Sequence, residues 1–476
     1  LLPLVLDAVP PGLRQALAQD GVPVRSRIAG LPEGRFVLYD SQIAGSPWIG
    51  PGQVGIDVDC ARRRAWDPWA MLSDPRAEEH RWSLGERTLV EEIARVDKRA
   101  VREEALAALR DEIEGQGGLW LRVAAFPFPY RSAFSFRVDY DQYEPSGFAA
   151  MLAAVEGHAD CTSHFVNAAA YAGHRDAVFR LRGLDVGSHG YWHHVYRTEE
   201  ENLRNLRRGI ELLRAVRVAP SGFVAPHGRC NPALLAAMDE LGITHSSEFG
   251  LAYDELPFFP HGSSVLQIPV HPVCLELFLD AARRDGGSPS EATAAALEYF
   301  VETARDKYRA AQPMFFYGHP AAGTAAPAAE SSARVLRVLS NTITGFGAVW
   351  RTTFSEFGAW WRVRAGVRLT AVREGEEYVV SAEGIPNEYQ IAVEYCRGRL
   401  VAPMPVGGPT LRFSPAALAY ETRAVQPAFR PVRLDRAHGI RSHLKRLIDW
   451  ERVTPVDEIA PVNWRNWAKR TLRRWR

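Results

Sequence analysis

Short apolar runs separated by amphipathic stretches recur through the middle of the chain: Phe134 to Val138, Cys161 to Val166, Leu184 to Val186, Ser221 to Ala225, Ile243 to His245, Val265 to Val270 and Met314 to Tyr317. This alternation predicts β/α units around a parallel sheet. Between the third and fourth runs, Thr198 and Glu201 form a capping box, and Leu203, Leu206, Ile210 and Leu213 recur on one helical face. Seven strands with intervening helices predict a distorted (β/α)7-type barrel, smaller than the eight-fold one. In such folds the residues that carry chemistry sit at the carboxyl ends of the strands.

The pattern changes on both sides of this region. Residues 1–125 read as an N-terminal α/β accessory region, with a strand from Arg35 to Tyr39, turns at Gly50 to Gly52 and Asp67-Pro68, and a long polar-faced helix from Glu86 to Glu114 ended by Gly115. The barrel is expected over 126–363. Over 364–429, the segments Val367 to Val372, Glu377 to Ala382, Tyr389 to Cys396 and Thr410 to Phe413 alternate apolar and polar residues, which predicts a small antiparallel, sandwich-like β domain. Its Tyr378, Tyr389 and Tyr395 are candidate glycan contacts. The tail, 430–476, carries 13 Lys or Arg against five Asp or Glu, with Trp450, Trp464, Trp467 and Trp475 interleaved. That composition fits a segment lying on an anionic membrane surface, or a helix packed on the barrel by its tryptophans.

Overall charge changes little in this picture, because 57 Lys and Arg face 56 Asp and Glu. No nucleic-acid partner is expected, since no binding module accompanies the basic tail. Cys60, Cys161, Cys230, Cys274 and Cys396 are odd in number and have no C-x-x-C spacing, so neither a disulfide framework nor a thiolate zinc site is predicted. A reducing, cytoplasmic setting is expected, peripheral to the inner membrane if the tail binds lipid. The chain begins with Leu and not Met, which leaves the periplasm open. Leu1 to Leu6 is too short for a signal-peptide core, and no apolar run of membrane-spanning length is present.

The polar residues after the apolar runs supply the candidate chemistry: Asp139 and Asp141, His189 and His193, Pro226-His227-Gly228-Arg229, Ser246-Ser247-Glu248, His271 and His319. His189, His193 and His194 fall at i, i+4 and i+5, and two imidazoles one turn apart can reach one ion. Asp139 and Asp141 are two apart on a strand, so both carboxylates face one side. One can bind a metal while the other takes a proton from water. Asp57 and Asp59 also form a D-x-D, but with no histidine nearby they read as scaffold.

With these residues in place, the chain from about Ser132 to Trp361 resembles the polysaccharide deacetylase superfamily, the NodB-like carbohydrate esterases of family 4. Ser135-Phe-Arg-Val-Asp139-Tyr-Asp141 is similar to the first motif, Ser188-His189-Gly-Tyr-Trp-His193 to the second, Val224-Ala-Pro226-His227-Gly228 to the third, and Met314-Phe-Phe-Tyr-Gly-His319-Pro320 to the last. The resemblance implies a metal-dependent hydrolase that removes an N-acetyl or other acyl group from an amino sugar of a bacterial surface polysaccharide or its precursor. It implies one divalent ion, Zn2+ first, with Co2+, Ni2+, Mn2+ or Fe2+ as the other candidates, held by Asp141, His189 and His193. Asp139 would be the general base, His319 the general acid, and the backbone N–H of His227 an oxyanion donor.

The motifs depart from the family at three points. Tyr140 separates the aspartates, so base and ligand can be exchanged. Val224 stands where the family has the arginine that pairs with the base, leaving Arg137 or Arg229 for that part. The Asp and Trp of the fourth motif are not recognisable, leaving Glu248 or Asp254 to orient His319. His194 and His271 are further imidazoles, either satisfied structural histidines or groups with substrate or supporting roles. These departures motivate two alternatives: a catalytically impaired member that binds glycan or acts as a scaffold, and a hydrolase of a small cyclic amide.

Overall fold

The computed structural model describes residues 119–423 with breaks at 221, 249–253, 285–287, 321–325 and 387; before them it describes 2–6, 11–22, 24–26, 36–39, 68–74, 77–84, 87–94 and 97–115, and after them 440 and 444. Asp57, Asp59, Cys60, the turn at 50–52 and nearly all of the basic, tryptophan-rich tail lie outside the described residues. No described helix is long and apolar enough to cross a membrane.

Each of the seven expected apolar runs carries a strand of one parallel sheet. Its order is Leu266–Gln267, His245–Ser246, Gly222–Phe223, Asp185–Ser188, Thr162–Val166, Ser132–Tyr140 and Met314–Gly318. An eighth strand, Val349–Arg351, pairs with the amino-terminal part of Ser132–Tyr140. The sheet curls into a half-barrel, and its two ends approach where the His271 N–H donates to the Phe315 carbonyl at 2.8 Å.

Every residue of Ser132–Tyr140 is buried, so this strand has two interior faces. Phe134, Phe136, Val138 and Tyr140 point outward into the core shared with the helices Pro145–Val155, Leu275–Arg284, Pro289–Arg309 and Ala326–Thr344. Arg137 and Asp139 take the alternate, inward face, as the two-residue period of a strand requires. The barrel interior below them is filled by Phe354, Phe357, Trp360 and Trp361 of the helix Phe354–Gly366, which starts with a capping box between Thr353 and Glu356. The Phe354 N–H at its first turn donates to Ser163 Oγ at 2.8 Å, which ties the helix to the inner face of the sheet.

The C-terminal β region forms two small sheets. One is Arg368–Glu374, Glu377–Glu383 and Thr410–Phe413; the other runs Glu421–Thr422, Leu400–Pro405, Ala392–Arg397 and Leu121–Val123. The second therefore recruits a strand from before the barrel. Leu400–Pro405 escapes a pattern reading because Pro403 and Pro405 argue against a strand. Tyr378 and Tyr395 pack on Phe413, and Tyr389 packs on Trp360.

The expected helix from Glu86 to Glu114 is corrected. Arg87–Ala94 is a strand paired antiparallel with Ala77–Leu84, and the helix begins only at Lys98. Its Glu-rich composition favours helix in isolation, but pairing with a neighbouring strand overrides a local propensity of this size. The strand Arg87–Ala94 runs against both the turn Pro226–Gly228 and the helix Leu275–Arg284. The helix Lys98–Gly115 is fixed by a buried ion pair, Arg102 Nε to Asp254 Oδ2 at 2.5 Å, with Gln19 donating to the same carboxylate at 3.4 Å. Asp254 is thus a docking residue for the N-terminal region, which corrects its expected part in orienting His319.

Candidate metal centre

Asp141 follows the strand Ser132–Tyr140 directly and continues its inward face. Its Oδ1 lies 3.1 Å from His189 Nε2 and its Oδ2 lies 3.2 Å from His193 Nε2. The two Nε2 atoms are 3.1 Å apart. Donors on a tetrahedral zinc ion, with bonds of about 2.1 Å, stand about 3.4 Å from one another. The three side chains therefore fit a single divalent ion, with nitrogen and oxygen donors of the kind such ions take. His189 is oriented by its other nitrogen, since Nδ1 lies 2.7 Å from the Val224 carbonyl. Donation from Nδ1 to that oxygen fixes the tautomer that presents Nε2 to a metal.

Asp141 is pulled two ways. Burial pushes its carboxyl up, but the His319 imidazole and the hydrogen bonds from His189 and His193 outweigh it and hold the group well below the usual carboxylate range. It stands ready as an anion, the form a metal ligand needs.

Asp139 is set differently. Its Oδ2 accepts from Arg137 Nη2 at 2.8 Å, both groups being almost fully buried, while its Oδ1 has no hydrogen-bond partner among the described residues. Arg137 is itself held by the Ser247 carbonyl and hydroxyl at 2.7 and 3.0 Å, and its guanidinium lies over the Tyr317 ring at 4.7 Å. Arg137 is thus the arginine that the structure pairs with Asp139. Arg229 is half-buried and follows the turn, its N–H donating to the Pro226 carbonyl.

His319 Nε2 lies 3.6 Å from Asp141 Oδ2, which brings the last motif to the same place. Its other nitrogen faces Cys274 Sγ at 3.1 Å, and its backbone N–H donates to Glu276 Oε2 at 2.7 Å. The carboxylate beside His319 is therefore Glu276, and neither Glu248 nor Asp254. Glu248 accepts from the Ala225 N–H at 3.0 Å and from the Ser246 hydroxyl, where it braces the third-motif loop. Burial pushes the carboxyls of Glu248 and Glu276 up to about 7.

In the turn Pro226–Gly228, His227 and Gly228 both have left-handed backbone, with φ of 59° and 62°. A non-glycine residue there is strained, and such strain marks sites where a backbone group must be aimed. The exposed His227 ring packs edge-on against His193 at 4.9 Å between centroids. His194 is buried and packs edge-on against Tyr196. His271 turns to the outer face, with Nε2 2.8 Å from the Tyr299 hydroxyl and its ring against Phe300 and Phe316. These contacts pack His271 against the helix Pro289–Arg309, as expected of a structural histidine.

Two buried asparagines on the helix Glu199–Ala215 were not singled out by the sequence. Asn205 Oδ1 accepts from the Tyr191 and Trp192 N–H groups at 2.9 and 2.7 Å, and its Nδ2 donates to the His194 carbonyl at 3.0 Å. Asn202 makes the corresponding bonds to the backbone of Tyr196. Both fall on the helix face that carries Leu206 and Leu213, where a polar residue in an apolar stripe was the available signal. Asn205→Ala removes the side-chain partner of the Trp192 N–H and of the His194 carbonyl, and leaves the Tyr191 N–H only its 3.2 Å bond to the residue 205 carbonyl. It is expected to cost about 2–4 kcal/mol of stability and to weaken metal binding about 10–100-fold, read by urea unfolding and by metal titration.

No protein-family model and no curated protein matches the chain. Among solved structures, similar ones include a protein assigned as a polysaccharide deacetylase from Mycobacterium smegmatis, with TM-score 0.42, 19% identity, and 50% of this chain and 93% of that chain covered. The PuuE allantoinase has TM-score 0.41 and 17% identity, over 50% of this chain and 92% of its own. A family 4 carbohydrate esterase pseudoenzyme from Bacillus anthracis has TM-score 0.33 and 11% identity, over 48% and 65%. The curled parallel sheet gathers the candidate ligands of this chain at the carboxyl ends of its strands.

Proposed function

We propose that the protein is a metal-dependent hydrolase that removes an acyl group, typically N-acetyl, from an amino sugar of a bacterial surface glycan or its precursor. The observation that carries this reading is the convergence of Asp141, His189 and His193 on one point beside a separately held Asp139 and a facing His319. When bound there, a divalent ion, Zn2+ first, supplies Lewis acidity to the scissile carbonyl and lowers the pKa of water.

The chain's own residues do the rest. Asp139 Oδ1, which has no hydrogen-bond partner among the described residues, takes a proton from the attacking water, while Arg137 holds the carboxylate in place through Oδ2. The strained turn aims the backbone N–H of His227 at the oxygen on which charge develops. His319 Nε2 gives a proton to the departing sugar nitrogen, so that acetate and free amine are the products. Retention of all five groups in one cleft favours a working enzyme over a glycan-binding relative.

Release of acetate from an N-acetylated amino-sugar oligosaccharide tests the reading. The activity is expected to disappear after dialysis against a chelator and to return with Zn2+ or Co2+. Acetate release that survives complete metal removal would sink it.

A further inference from the structure

We propose a second transition-metal site, formed by Cys274 Sγ, Glu276 and His319 Nδ1 on the far side of the His319 ring from the first.

The three residues come from two elements. Cys274 and Glu276 flank the start of the helix Leu275–Arg284, and His319 follows the strand Met314–Gly318. Their ligating atoms all lie within 4.8 Å of one another, with Sγ 3.1 Å from Nδ1 and 3.8 Å from Glu276 Oε2. Sulfur and nitrogen or oxygen donors on a tetrahedral zinc ion stand about 3.6 Å apart, between the two observed values. Thiolate, imidazole and carboxylate together suit zinc or cobalt, and not the all-oxygen preference of magnesium or calcium.

The environment asks for a cation. Cys274 is fully buried and Glu276 is 8% exposed. Glu276 Oε1 is buried with no hydrogen-bond partner among the described residues, the neighbouring Ser332 hydroxyl lying outside hydrogen-bond geometry. No Lys or Arg pairs with Glu276 among the described residues. A buried carboxylate without a counter-charge is costly, and a bound cation supplies one. Gly318 makes the approach possible, because a Cβ there would meet Glu276 Oε2 at 2.2 Å.

On binding, Cys274 loses its thiol proton to solvent and ligates as thiolate. The ion on Nδ1 occupies the position a proton holds in an imidazolium, and Nε2 keeps its proton for the cleft. The general acid would then depend on metal supply as well as the hydrolytic centre does.

Cobalt titration of the full, metal-stripped chain tests this. The parent protein is expected to bind two Co2+ per chain, with a thiolate-to-cobalt charge-transfer band. Cys274→Ser is expected to lose the band and one equivalent. His189→Ala is expected to lose one equivalent and keep the band. Glu276→Gln, which retains the thiol, is expected to weaken the band's titration at least about tenfold, and serves if Cys274→Ser does not fold. One cobalt per chain without a thiolate band would overturn the proposal and leave Cys274 as a hydrogen-bond neighbour of His319. Acetate release without the band sinks the second site alone, and the band without acetate release sinks the deacetylase reading alone.

Discussion

His189→Ala is expected to bind one equivalent less metal than the parent protein and to lose acetate release by at least about a thousandfold. The reason is geometric. His189 is buried, it contributes one of three donors, and the remaining pair, Asp141 and His193, would have to hold an ion at the half-exposed side of the cleft. The substitution also leaves the Val224 carbonyl without its imidazole partner, a buried acceptor worth about 1–3 kcal/mol when unpaired. Metal analysis of the purified variant beside a colorimetric acetate assay checks both effects. Full metal content together with a near-parental rate would show that the ion is held elsewhere.

The inner sheet was legible because its strands are buried on both faces and so read as continuous apolar runs. The same two-residue period that sends Phe134, Phe136, Val138 and Tyr140 outward brings Arg137, Asp139 and Asp141 to one side. The same period supplies Asp139 with an arginine from its own strand. Arg137 is already on the face of Asp139, and the Val224 position contributes a backbone carbonyl to His189, which no side-chain identity can announce.

Other parts were hidden for definable reasons. His271 and His319 both follow apolar runs, yet one ring faces Tyr299 outside the sheet and the other faces Asp141 inside it. The short strand near His271 gave no alternation from which to read the side. Cys274 and Glu276 lie at a helix start more than forty residues from His319, and only the curl of the sheet places them together. Asp254 was a reasonable carboxylate by order along the chain, but its partner Arg102 belongs to the N-terminal region. The Arg87–Ala94 strand was missed because it leads straight into the helical pattern of Lys98–Gly115 and its partner strand was unread.

Asp139→Asn is expected to lower kcat by about 10²–10⁴-fold with little change in KM and full metal content. Asparagine keeps the shape and an oxygen that can accept from Arg137 Nη2, so the positioning of residue 139 survives while its basicity does not. Arg137 then lacks an anion in a nearly closed environment, its other hydrogen-bond partners being the neutral Ser247 groups. Removing one member of a buried pair costs about 3–5 kcal/mol, and the retained hydrogen bond should keep the loss at the lower end. Urea unfolding measures that cost separately from the rate. Asp141→Asn should behave in the opposite way at the metal, because its two oxygens face His189 and His193 and not an arginine. It is expected to lose an equivalent of metal, and activity with it. Tyr140 separates the two aspartates, and the pair of variants decides which one serves as base. If Asp139→Asn sheds metal while Asp141→Asn retains it, the roles are exchanged, and Arg137 supports a ligand instead of a base.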